Sequence, residues 1–161
     1  MDDERDAVRL EGPLADRAAW SADRCSLAGA LGVVGTRSAM LIMREAYYGT
    51  QRFDDFARRV GVTDAVAATR LRELTDAGLL RREAYREPGQ RTRQRYRLTA
   101  MGRDLFPSLV GLLRWGDRYL AGADGPPVVL EHADCGEPVE VAVRCAAGHD
   151  VPLAEVSVRV P

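Results

Sequence analysis

The sequence predicts a mostly α-helical fold with one β-hairpin and a small β-rich tail. Three observations carry this prediction. Four successive segments after residue 25 combine helix-forming residues with caps and glycine stops, and two arginine-rich strand-like runs flank a Pro-Gly turn. Beyond residue 121 the helical signals give way to short alternating stretches.

Each element follows in order. The opening MDDERDAVRLEG is acidic and has no apolar signal core, so export is not expected. "SLAGALGVVG" (26–35) is a short apolar helix ending in glycine. "RSAMLIMREAYYG" (37–49) is a second helix, closed by Gly49 at the C′ position. Thr50 is expected to cap the next, "QRFDDFARRVG", which stops at Gly61. Thr63 caps "DAVAATRLRELTDA", where Ala67, Leu71 and Leu74 recur at helical spacing as its buried stripe. Gly78 ends that helix.

"RREAYRE" and "RTRQRYRLT" then flank Pro88-Gly89, with proline and glycine at the two central turn positions, and form a hairpin. Thr99 caps a last long helix whose apolar face is Leu105, Leu109, Leu112 and Leu113, extended by Tyr119. Pro107 is expected to kink it by removing a backbone hydrogen bond. "GADGPP" (122–127) is a linker by composition, and "EPVEVAVRC" and "EVSVRV" alternate like strands of a satellite module. The chain thus divides into an acidic arm (1–24), a main domain (25–120), a linker (121–127) and a tail (128–161).

Charge is segregated along this plan. The arm carries four arginines against seven acids, the main domain seventeen against ten, and the tail with its linker two against seven. The net charge of −1 conceals a basic middle suited to a polyanion. All 23 basic residues are arginine. No stretch approaches the ~20 apolar residues needed to span a bilayer, so no membrane partner is expected. Arg91, Arg93, Arg95 and Arg97 share one strand face, while Tyr96 and Leu98 on the other can pack inward. Two readings of those arginines compete: an anionic partner, or a solvated face offset by Glu83 and Glu87.

Two short helices with a tight glycine-containing turn, followed by a basic hairpin, is the order of a winged helix-turn-helix. The helix at 63–77 would enter the major groove of double-stranded DNA, with the hairpin at 83–98 as a wing beside the phosphates. With the stripe inward, Ala65, Thr69 and Arg72 point outward and Ala68 lies at the edge. Arg72 suits a bidentate contact to a guanine edge and Thr69 a base or thymine methyl. Thr63, at the helix start, would meet a phosphate. Arg37, Arg70, Arg91, Arg93 and Arg95 complete the candidate DNA contacts. The bland alternative pairs Arg72 with Glu73 or Asp76 on a solvated surface.

The leading Cys25, "LIMRE", "RFDDF", "TRLRELTDAGLL", "YRLTAMGRDL" and "WGDR" together resemble the HxlR family of bacterial winged-helix regulators, over roughly residues 25–120. The resemblance implies a cytoplasmic homodimer joined through the first and last helices of this core. It also implies an inverted-repeat operator near a regulated gene. Two positions depart from the family pattern. Ser38 stands where tryptophan is usual, and Ala65 where a basic or polar residue is common.

Cys25 precedes a helix, where the dipole can make a thiol reactive, or it is simply a small buried apolar residue. The resemblance adds that some relatives sense oxidants or electrophiles with a cysteine at this place. A small-molecule or redox effector therefore belongs among the expected partners, without an assigned ligand. Trp115, Tyr119, Tyr47 and Tyr48 either line a pocket near the dimer interface or belong to the core.

His132-x2-Cys135-Gly and Cys145-x3-His149 hold both histidines and two of the three cysteines, a delivery pattern for tetrahedral zinc. Related proteins with longer tails resemble this one in having such knuckles. A metal-free module and a Cys135–Cys145 disulfide are the alternatives. No phosphate loop and no Ser-His-Asp set is present, so an enzyme is not expected; a metal-dependent enzyme centred on the tail is the weakest reading. A protein-interaction module with an acidic docking tail is the other alternative to a DNA-binding regulator.

Overall fold

The computed structural model describes residues 7–18, 25–86, 89 and 91–160. Helices α1 (Ser26–Val34), α2 (Arg37–Tyr47), α3 (Phe53–Val60) and α4 (Asp64–Asp76) precede an antiparallel hairpin of β2 (Leu80–Tyr85) and β3 (Arg93–Leu98). Helices α5 (Ala100–Asp104) and α6 (Phe106–Leu120) follow. Strand β1 (Arg9–Leu10) lies ahead of the helices and β4 (Ser157–Val158) near the end of the chain. Glu87 and Pro88 lie outside the described residues, but Gly89 has the positive φ of +77° that the expected turn requires of it.

Threonine hydroxyls start three helices. Thr36 accepts from the Ala39 amide at 3.2 Å, Thr63 from Val66 at 3.3 Å and Thr99 from Gly102 at 3.0 Å. Thr50 does not cap α3, whose N-cap is Arg52, without a side-chain bond. Instead Thr50 is buried, donating to Glu45 Oε2 at 3.2 Å and accepting from Arg59 Nη1 at 2.6 Å. A buried carboxylate needs donors more than a solvated helix start needs an acceptor. Arg44 supplies Glu45 with another, at 2.9 Å.

One apolar cluster joins these elements. Ile42 and Met43 of α2, Phe56 of α3, Leu71 and Leu74 of α4 and Leu80 of β2 are sealed from solvent and pack together with Tyr96 and Leu109. Phe56 meets the Tyr96 ring edge-on at 6.0 Å, which seats the hairpin on the helices.

The expected single long helix is two. Thr99 caps only the short α5, and the chain breaks at Leu105 before α6 begins. Pro107 therefore sits in the first turn of α6, where its missing N–H costs no helical bond. The break falls where Pro107 cannot donate to the Arg103 carbonyl, as its expected kink requires. At Gly102 a Cβ would stand 2.1 Å from the Leu79 carbonyl oxygen, so α5 lies directly against the strand entry. Tyr47 donates its hydroxyl to the Gly102 carbonyl at 2.5 Å, and burial pushes its pKa up to about 12.

The tail is sparser in strand than its alternation suggests. "EPVEVAVRC" contributes isolated bridges, Glu131 with Pro138 and Arg144 with Asp150, rather than a ladder. Each bridge closes a tight turn, and one further backbone bond follows it outward, Val139 to Leu130 at 2.8 Å and Val151 to Val143 at 2.9 Å. In "EVSVRV" only Ser157–Val158 is strand, and it pairs in parallel with Arg9–Leu10. Ser157 also donates to Glu11, tying the acidic arm to the tail. Val141 reaches α6 at Gly111, where a Cβ would lie 3.9 Å from its Cγ1. No single described helix is long and apolar enough to cross a membrane.

Candidate nucleic-acid interface

The helix-turn-helix is built by three residues. Gly61 takes the left-handed conformation at φ +71°, and its amide and that of Val62 both donate to the Ala57 carbonyl, at 3.0 and 3.1 Å. Thr63 then opens α4, the expected recognition helix. Ala67, Leu71 and Leu74 face the core as expected. Ala65, Ala68 and Arg72 are exposed, and Thr69 is half-buried. Two alanines keep this outward surface low, allowing a groove wall to come close.

The charges on α4 divide clearly. Arg70 pairs with Glu73 one turn along and is committed to the helix itself. Arg72 pairs with neither Glu73 nor Asp76; among the described residues it has no ion-pair partner. Arg37, at the first turn of α2, is likewise exposed and without an ion pair among the described residues.

The wing divides the same way. Its register puts Arg81 opposite Arg97, Glu83 opposite Arg95 and Tyr85 opposite Arg93, on one face. Glu83 takes ion pairs from Arg81 at 2.8 Å, Arg95 at 3.1 Å and Arg97 at 3.2 Å. Arg95 also lies over the Tyr85 ring, at 5.6 Å, with Arg52 of the α3 N-cap at 5.9 Å. Offset by Glu83 is thus seen for Arg95 and Arg97 of the alternating arginines. At the wing's base one carboxylate is shared by three guanidinium groups and offsets one of their charges, and the tip, Arg91 and Arg93, has no ion pair among the described residues.

Sequence reasoning missed Arg82. It lies on the opposite face from the other wing arginines, paired with Tyr96 across the strands. A groove of about 320 Å³ between α4 and the hairpin is lined by Arg72, Arg82, Thr75, Asp76, Phe53 and Tyr96. Two guanidinium groups thus border one depression beside the recognition helix. Alternation alone sets Arg82 on the face opposite Arg81 and Glu83; the register and the packing of the hairpin against α4 show that this face meets Tyr96 and reaches Arg72.

The four aromatic residues do not share a pocket. Tyr47 packs on Phe106 at 5.0 Å, and Tyr48 lies under Arg44 at 5.9 Å. Trp115 and Tyr119, 5.8 Å apart, border a separate cleft of about 610 Å³ between α6 and the tail.

Cys25 is the N-cap residue of α1 and a half-buried free thiol. In the tail, His132 Nδ1 lies 3.2 Å from Cys135 Sγ, and His149 Nδ1 lies 3.6 Å from Cys145 Sγ. Each pair is assembled, but among the described residues no three His, Cys, Asp or Glu side chains converge on one point.

Over residues 33–124 the chain matches the HxlR-like helix-turn-helix family. The uncharacterized HTH-type transcriptional regulator Rv3095 of Mycobacterium tuberculosis is 40% identical over 133 residues, spanning 82% of this chain and 83% of the relative. Among solved structures, PA1607, described as a candidate transcription factor, superposes with a TM-score of 0.77 at 34% identity. That alignment covers 84% of this chain and 94% of PA1607. The candidate transcription factor PA1374 of Pseudomonas aeruginosa gives 0.60 at 35% identity, covering 85% and 92%.

Proposed function

The chain belongs to the HxlR-like helix-turn-helix family of transcriptional regulators, and we propose that it acts as a homodimer on an inverted-repeat operator, with α4 in the major groove and the wing on adjacent phosphates. The carrying observation is Arg72: exposed, on the face of α4 opposite the buried stripe, and without an ion pair among the described residues. A guanidinium so placed can make the bidentate contact to guanine O6 and N7. Thr69 reads a neighbouring base, Thr63 holds a phosphate at the helix start, and Ala65 and Ala68 admit the groove wall. Arg91 and Arg93 at the wing tip bind phosphates, whereas Arg95 and Arg70 chiefly hold the protein's own geometry.

The dimer rests on apolar surface that the single chain leaves open. Leu27 and Leu31 of α1 and Leu112, Trp115, Tyr119 and Leu120 of α6 are more than half exposed. Patches of this kind on terminal helices are the mark of an interface. Cys25 heads α1, so a thiol modified there would act beside that interface, which is how a redox signal would reach the DNA-binding helices.

The test is binding of the purified protein to DNA flanking its own gene, at fixed salt, against a shuffled duplex of equal length. The native duplex should win by ~10³ or more. Arg72→Ala should cost about 1–3 kcal/mol of that preference. Changing Arg91 and Arg93 to Ala should weaken both duplexes alike and flatten the salt dependence by about two phosphate contacts. Equal binding of both duplexes by the native protein would sink the proposal, and a sedimentation mass of one 17.7 kDa chain would sink the dimer.

A further inference from the structure

From 128 to 160 no residue is buried. A segment of that size without a core is ordinarily stapled by a metal or a disulfide. We propose that His132, Cys135, Cys145 and His149 form a structural zinc site that closes the tail.

The two turns supply matching halves of such a site. In the first, the Gly136 amide donates to the His132 carbonyl and the His132 amide to the Glu137 carbonyl, both at 2.8 Å. In the second, Gly148 donates to Cys145 at 2.9 Å and Cys145 to His149 at 3.0 Å. Gly136 and Gly148 take φ of +74° and +87°, the left-handed turn that lets each loop fold back tightly. The side-chain donors are brought together as a consequence.

Their separations fit the metal. Zinc held tetrahedrally at about 2.3 Å from sulfur and about 2.0 Å from nitrogen places those two donors about 3.5 Å apart. The observed separations are 3.2 Å in the first turn and 3.6 Å in the second. Each turn therefore presents one edge of a tetrahedron, and two edges complete it. Both cysteines bind as thiolates, releasing two protons and balancing the dication; both imidazoles bind neutral, through Nδ1.

The two pairs do not yet share a point, so binding must draw the turns together, and ligation and ordering of the tail are one event. With four protein ligands the site is closed and structural, not catalytic. A Cys135–Cys145 disulfide would use the same thiols but give neither histidine a role.

The experiment uses the full chain, purified in reducing buffer without chelator. Elemental analysis should find about one zinc per chain, and cobalt(II) added to the stripped protein should give the intense visible bands of a tetrahedral thiolate site. Cys135→Ser and Cys145→Ser should each lower bound zinc below about a tenth per chain, and His132→Gln and His149→Gln should each weaken zinc affinity about tenfold or more. Helical circular dichroism should be unchanged in all four variants, and chelator should speed proteolysis within 128–160 but not within 26–120. Absence of both zinc and cobalt bands from the native chain overturns the proposal. So does full zinc content in both serine variants.

Discussion

In the helical body Ile42, Met43, Phe56, Leu71 and Leu74 are sealed from solvent, whereas in the tail Val129, Val141, Val143 and Leu153 stand exposed. The residue types are similar and the outcomes opposite. A helix of two or more turns offers a whole apolar face, and α2, α3 and α4 offer three such faces to one another. The tail offers two tight turns and a two-residue strand, with no second layer closing over them among the described residues. Apolar content is therefore not a core until the local structure supplies opposing surfaces. Substitutions in the two regions should differ accordingly.

Phe56→Ala should have the largest effect. It empties a fully buried position and removes the edge-on contact that seats the hairpin, and should cost about 3–5 kcal/mol in urea unfolding. Gly102→Ala comes next, at about 1–3 kcal/mol, because its Cβ would strike the Leu79 carbonyl; a neutral result would mean that α5 can lift away from the strand.

Tyr47→Phe removes the hydroxyl bonded to Gly102, at a cost of about 1 kcal/mol. It also tests the sign of a pH effect. The phenol is neutral in both states below pH 10; above it the unfolded chain ionises first, because the folded pKa is about 12. Stability should fall as pH rises from 10 to 12, and the part of that fall due to Tyr47 should vanish in Tyr47→Phe. Val143→Ser, in the tail, should stay within about 0.5 kcal/mol. A cost near that of Phe56→Ala would erase the distinction between the two regions.

The helical body was largely legible because its signals are local. The Thr63 cap, the Ala67-Leu71-Leu74 stripe and the Gly61 and Gly78 stops each depend on residues a few positions apart. Thr50 was misread because its partners, Glu45 and Arg59, are brought to it by the packing of α2 on α3, and a buried carboxylate outbid the helix start. Pro107 interrupts the last helix as expected, since it cannot donate to the Arg103 carbonyl and the chain breaks at Leu105; the contact of Gly102 with the Leu79 carbonyl, across two elements, was not legible. On the wing, alternation identified the exposed face correctly. It could not say that one glutamate would occupy three of the arginines, nor that Arg82 would meet Arg72 across a groove. In the tail, strand-like alternation misled, since valines at every second position form a ladder only where a partner strand exists.

Glu83 has a consequence that is kinetic rather than structural. A DNA-binding protein finds its target by sliding and hopping along unrelated sequence, and its dwell time there grows steeply with the number of phosphates it neutralises. In the proposed binding mode, the one carboxylate shared by Arg81, Arg95 and Arg97 would take one unit of charge from the grip of the wing's base on bulk DNA. Its loss would add one unit of positive charge there and lengthen each stop along the way, so that a tighter-binding wing would make a slower search.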